Sequence, residues 1–283
     1  MMPVLSAAVG AYPHTAALRD GRVESDRVRL DFADVSPINR AFAPMVREGR
    51  FAISEMAIAT FLQAKAYGRP LRLLPVVLAA RFQEAALLCR RGGPVAGPGD
   101  LAGRRVGVRA YGQTTGMWLR GILGDAHGLR PDSVEWVTFE GAHVPEYRDP
   151  PWARRAAPGA DMMAMLRAGD LDAVIVGNDV PDDPDLTTVF PDPAAAGRAF
   201  QAAHGFALVN HLLTVQADVA AAHPEILDEL HRLAGASATL APPKSFTVAT
   251  TPRALEPAIA LALRYSREQG LLPRDLSLDE VWG

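Results

Sequence analysis

Asp100–Gly128 reads DLAGRRVGVRAYGQTTGMWLRGILGDAHG. Its pattern is a turn, a short buried strand over Arg105–Val108, a small polar loop, and a helix over Thr114–His127. The loop Tyr111-Gly112-Gln113-Thr114-Thr115 brings backbone N–H groups and hydroxyls to the start of that helix. The first N–H groups of a helix lack partners and carry partial positive charge. Such a terminus suits a carboxylate or a phosphate. N-capping is the plainer role for Thr114 and Thr115, and it puts them in the same place.

Outward from this unit, strand and helix signals alternate. Upstream, strands are expected at Val4–Gly10, Val28–Phe32, Phe51–Ser54 and Leu71–Leu78. Helices are expected at Thr15–Asp20, Ile38–Arg47 and Met56–Tyr67, stopped by Gly21, Gly49 and Gly68. Downstream come a strand at Val134–Thr138, a Pro-rich loop from Glu140 to Pro158, a helix at Met162–Ala168 and a strand at Leu171–Val176. A turn-rich loop, Gly177–Pro184, and a helix at Ala194–Ala203 follow, and the chain after Val219 is helical. This rhythm implies an α/β fold with helices on both faces of mixed or parallel sheets.

Two longer extended runs, Phe82–Cys89 and Phe206–Val215, flank the middle segment. They imply a discontinuous two-domain protein, residues 1–84 plus 209–283 and residues 85–208, with two crossing strands as hinge. A single continuous α/β domain is the rival reading. Ligands of open α/β sheets bind outside the carboxyl ends of strands and favour domain interfaces, and a hinge allows closure around them.

Composition narrows the function. The 283 residues are 49% hydrophobic and 22% charged, with a formal net charge of −3. No basic stripe appears, which argues against a nucleic-acid partner. The lone Cys89 excludes an internal disulfide, and no Cys/His spacing suits a metal. No window reaches the roughly 18 apolar residues of a membrane span. The opening MMPVLSAAVGAY lacks a basic region before its short apolar run and reads as a first strand, so a cytoplasmic protein is expected. A homo-oligomer is left open.

Further motifs point to a family. They include Gly10-Ala11-Tyr12, LRDGRV at Leu18–Val23, FAISEM at Phe51–Met56, and GRRVGV at Gly103–Val108. Tyr111, Thr114, WLRGIL at Trp118–Leu123, EWVT at Glu135–Thr138 and LRAGDLDAVI at Leu166–Ile175 extend the set. Phe190-Pro191, His211 and RYSREQGL at Arg264–Leu271 complete it. With these residues the chain resembles the 4,5-dihydroxyphthalate decarboxylases within the type 2 periplasmic-binding-protein superfamily. The resemblance implies a two-domain clamshell without metal or organic cofactor, and loss of CO2 from an aromatic carboxylate.

The chain also departs from that pattern. The family has a Tyr-Asp-Arg-Thr type stretch where this sequence reads Tyr12-Pro13-His14-Thr15. An Arg-Phe-Arg-His-Ser type cluster on the crossing strand is replaced by Ala80-Arg81-Phe82-Gln83-Glu84-Ala85. Arg81 sits one position out of register, and on a strand that offset points a side chain to the opposite face. A related acid with fewer carboxylates is therefore the expected substrate.

Decarboxylation of an arene needs a proton delivered to carbon, a phenol that feeds electrons into the ring, and donors for the carboxylate. The candidates for acid and base are His211, Glu55, Glu84 and His14. His211 lies on the return crossing after Asn210, and a histidine can transfer protons near neutral pH. Glu55 is expected to open a helix, as a base toward a phenol or as a cap. Glu84 serves as an acid if desolvated, and His14 is expected in the loop after the first strand. Substrate contacts are expected from Tyr12, Arg81, Tyr111, Gln113, Thr114, Thr115, Trp118, Asn178 and Asn210, with Tyr12 and Tyr111 bracketing a ring. Core packing is the rival for Tyr111 and Trp118, and a turn is the rival for Asn178.

The expected function is thus a cofactor-independent carboxy-lyase acting on a small aromatic or enolisable acid. Two alternatives stand beside it: a small-molecule solute-binding or sensor protein without catalysis, and another lyase of the same fold. Fold alone does not choose among them.

Overall fold

The computed structural model describes residues 2–177 and 180–283. In chain order the first strands and helices are β1 (Val4–Ala8), α1 (Pro13–Arg19), β2 (Arg29–Phe32), α2 (Phe42–Glu48), β3 (Ile53–Ala57), α3 (Ile58–Ala66) and β4 (Leu71–Ala80). The middle of the chain forms β5 (Leu87–Arg90), β6 (Arg105–Val108), α4 (Thr114–His127), β7 (Glu135–Thr138), β8 (Ala153–Arg155), α5 (Met162–Ala168), β9 (Ala173–Ile175), β10 (Leu186–Thr188) and α6 (Pro193–His204). It ends with β11 (Val209–Gln216), α7 (Ala217–Ala222), α8 (Glu225–Thr239), α9 (Pro252–Glu268) and α10 (Leu278–Trp282).

Two compact units result. One comprises Met1–Arg81, Val209–Ala260 and Arg274–Gly283, and the other Phe82–Leu208 with Leu261–Pro273. Residues 261–273, expected with the first unit, pack in the second. The chain crosses between units after β4 and before β11.

The first unit is built on a five-stranded sheet in the order β2-β1-β3-β11-β4. β1 runs parallel to β2 and β3, and β11 runs antiparallel to β3 and β4. Alternation along the strands puts Leu5, Ala7, Ile53, Val76, Leu78, Leu213 and Val215 into one apolar cluster with Ile226, Leu230 and Leu233 of α8. β3 is buried on both faces along its whole length. A strand expected to stop at Ser54 therefore runs to Ala57, and Glu55 is a strand residue rather than a helix opener. The polar pair Ser54-Glu55 imitates a helix start signal but lies mid-strand. His14 is likewise inside α1, begun by Pro13, and not in a loop.

The second unit carries a six-stranded sheet in the order β10-β5-β9-β6-β7-β8. β6 is parallel to β7 and β9, whereas β5 is antiparallel to β9 and β10. The expected extended run Phe82–Cys89 is broken by a 3-10 turn over Glu84–Ala86, and only Leu87–Arg90 pairs as a strand. α4 matches its expected span, Thr114–His127. Its Arg120 is almost fully buried. The guanidinium donates to the Tyr111 carbonyl at 2.5 Å and to Gln269 Oε1 at 2.7 Å, and lies 4.0 Å from the Tyr111 ring centroid. This fixes the Tyr111 loop from beneath. Among the described residues no helix is long and apolar enough to cross a membrane.

Candidate active site

Three side chains converge in the first unit, at the carboxyl ends of the parallel strands β1 and β3. Antiparallel pairing puts Leu213 opposite Glu55 and His211 opposite Ala57. His211 is two residues from Leu213, so it shares the face of Glu55 as a diagonal cross-strand neighbour. Its Nδ1 lies 2.6 Å from Glu55 Oε1. The Tyr12 hydroxyl donates to the same oxygen at 2.7 Å, and the Gly10 amide donates to Oε2 at 2.9 Å. Glu55 is completely buried, so these three groups replace its hydration.

The segment after β1 is shaped for this convergence. A Cβ on Gly10 would lie 2.5–2.7 Å from Cζ, Cε2 and Oη of Tyr12. Only glycine lets the ring fold back across the chain toward Glu55. Thr15 Oγ1 accepts from the Tyr12 amide at 2.9 Å and donates to the Gly10 carbonyl at 2.7 Å, which locks the turn.

Protonation follows from the hydrogen bonds and burial. Burial, then the Glu55 charge, then the hydrogen bond to Glu55 push the Tyr12 phenol well above its ordinary range. It stays protonated and donates. With Tyr12 and Gly10 both donating, Glu55 acts as an acceptor, and the network assigns the His211 proton to Nδ1. The His211 side chain keeps 17% of its surface exposed, and Phe42 packs edge-on against its ring at 5.2 Å. Nε2 makes no hydrogen bond among the described residues and is not enclosed.

His14 lies beside this group, stacked parallel to the Tyr12 ring at 5.1 Å. It is buried, and its Nε2 is 3.0 Å from the Leu78 carbonyl. Burial, then the charge of Lys244, depresses its basicity, against weaker opposing effects of the Leu78 carbonyl and Glu55. Asn210 precedes His211 on β11, at an irregularity in the pairing of β11 with β4, and is buried. Arg81 ends the first-unit segment, half-buried, with its guanidinium basicity reduced by burial.

The other expected site residues lie in the second unit. Glu84 is fully buried in the 3-10 turn. Its Oε2 accepts from the Gln83 amide at 2.9 Å, and its enclosed Oε1 has no hydrogen-bond partner among the described residues. Burial raises its pKa. Gln113 is the N-cap position of α4, and Thr114 and Thr115 are buried in the first turn. Tyr111 and Trp118 are core residues rather than walls of a ring site. The Tyr111 hydroxyl accepts from Trp152 Nε1 at 2.7 Å, and Trp118 packs edge-on to Tyr265. Asn178 lies outside the described residues. Among the described residues no three His, Cys, Asp or Glu side chains converge as metal ligands.

Sequence reasoning missed the Gly10 amide, Thr15 and Phe42. Gly10, directly after an apolar strand and two residues before a tyrosine, is the signal that the chain turns tightly there.

No protein-family model matches the chain. It is 26% identical over 239 residues to a 4,5-dihydroxyphthalate decarboxylase of Comamonas testosteroni, covering 78% of this chain and 70% of that protein. A 4,5-dihydroxyphthalate decarboxylase of Pseudomonas putida is 29% identical over 207 residues, covering 68% and 79%. Among solved structures, the periplasmic aliphatic sulphonate binding protein SsuA of Escherichia coli aligns with a TM-score of 0.55 at 13% identity, covering 99% of this chain and 80% of that one. A periplasmic sulfonate-binding protein SsuA of Methylobacillus flagellatus gives 0.54 at 10% identity, covering 99% and 90%. The chain is thus a distant homologue of 4,5-dihydroxyphthalate decarboxylase with the two-domain fold of type 2 periplasmic binding proteins.

Proposed function

We propose that this protein is a carboxy-lyase for a small aromatic or enolisable carboxylic acid, with His211 and Glu55 as its acid–base pair. One observation carries the reading. A buried carboxylate orients the imidazole through Nδ1 and leaves Nε2 open at the carboxyl ends of β1 and β3. This is the arrangement of a proton-transferring histidine and its orienting acid. The distant homology to a decarboxylase selects the reaction among those such a pair can perform.

In outline, the protonated imidazole delivers its Nε2 proton to the ring carbon bearing the carboxylate. The bond from that carbon to the carboxylate then breaks. Its electron pair returns to the ring, restoring aromaticity, and CO2 leaves. The balance is one carboxylate and one proton giving one C–H bond and CO2, and solvent reprotonates Nε2. A ring hydroxyl feeds electrons toward the protonated carbon, so hydroxybenzoic-type acids are the favoured class. Side chains suffice for every step, without a cofactor. His14 and Glu84 are enclosed and hold no step.

The test is a panel of hydroxybenzoic and phthalic acids incubated with the protein, followed by CO2 release. Turnover of at least one acid supports the reading. Tight binding with no turnover across the panel replaces it with a carboxylate-binding protein without catalysis.

A further inference from the structure

We infer that Tyr12 is a positioning residue that sets the protonation of the Glu55–His211 pair. The inference starts from one shared atom. Glu55 Oε1 receives the Tyr12 hydroxyl at 2.7 Å and His211 Nδ1 at 2.6 Å. The two donors compete for the same negative charge. A phenol that hydrogen-bonds a carboxylate disperses that charge and weakens its hold on an adjacent imidazolium. Tyr12 therefore shares the oxygen on which the Glu55 hold on His211 depends.

The surroundings leave few other groups to set this balance. From β3 the facing group is Glu55 and from β4 the paired residue is Ala79. From α2 it is the apolar Phe42 ring. From α1 it is His14, whose Nε2 is engaged with the Leu78 carbonyl. Lys244 acts on His14 and lowers its basicity. The Gly10 amide donates to the other oxygen of Glu55 and is unaffected by a change at the Tyr12 hydroxyl. The fold also holds the Tyr12 ring in place, through the missing Cβ at Gly10 and the Thr15 bridge.

The kinetic meaning of this inference rests on the decarboxylase reading, but its test does not. The His211 ring is titrated by NMR in the full chain, its resonances assigned by their loss in His211→Gln. In Tyr12→Phe the apparent pKa of the pair rises by about one unit, a tenfold gain in proton affinity. An unmoved or lowered titration overturns the inference. Should Tyr12→Phe fail to fold, Gly10→Ala, which displaces the same ring, decides by the same criterion. If an acid is turned over, the pH–rate profile of Tyr12→Phe moves upward with the NMR value. If none is, the NMR result still stands, so the two readings fail separately.

Discussion

At Gly10 a single hydrogen atom decides whether the Tyr12 ring can cross the chain. The nearest ring atoms lie 2.5–2.7 Å from the position of a Cβ, too close for any real side chain. Gly10→Ala is expected to swing the ring outward and break the Tyr12–Glu55 bond. Overpacking of this kind costs about 1–3 kcal/mol, which urea denaturation would register as a lower midpoint with an unchanged slope. Glu55 makes the complementary case. It is a buried carboxylate whose three donors come from two segments distant in sequence, Gly10 and Tyr12 after β1 and His211 on β11. Glu55→Leu removes the charge but takes the acceptor from all three donors, so it is expected to destabilise by about 1–3 kcal/mol per donor left without a partner. A gain in stability, read in the same urea experiment, would show that the site is not held together as described.

α4 shows what elements contribute. Its span was legible because a polar loop precedes it and Gly128 follows it. Its packing partner was not, because Tyr265 lies in a helix 17 residues long that joins far later in the chain. A Cβ on Gly121 would meet the body of the Tyr265 ring at 2.1–2.4 Å, with Tyr265 itself completely buried. Gly121→Ala is therefore expected to destabilise the second unit by about 3 kcal/mol, visible as a fall in thermal midpoint. Glu55 stands out by residue type but is expected at a helix start, because Ser54-Glu55 looks like a cap when read without its neighbours. Only pairing with β11 shows that it lies mid-strand. β8 and β10 went unseen because strands of three residues leave no readable alternation. The Tyr12–Glu55–His211 convergence depends on register between β3 and β11, which single-sequence periodicity does not contain.

The whole molecule responds to acid through its ion pairs. Arg232 beside Glu229 holds that carboxyl down to about 2 from its ordinary 4.5, and Arg264 lowers Asp125 in the other unit. Folded-state pKa values below the unfolded ones stabilise the protein above the unfolded pKa. That stabilisation is lost as pH falls through the folded value. Urea midpoints should accordingly drop between pH 4.5 and pH 2, and Glu229→Gln should flatten that dependence. Function is also a property of the whole chain, since its fold is shared with sulfonate-binding proteins and its sequence is distantly related to decarboxylases. The central claim is that Nε2 of His211, oriented by Glu55, moves the proton that reaches carbon. Its most direct measurement compares turnover and substrate binding in His211→Gln with the unaltered protein, on an acid the protein decarboxylates. The account predicts that kcat falls by about 10²–10⁴ while the dissociation constant changes only a few-fold. Full turnover in His211→Gln would contradict it.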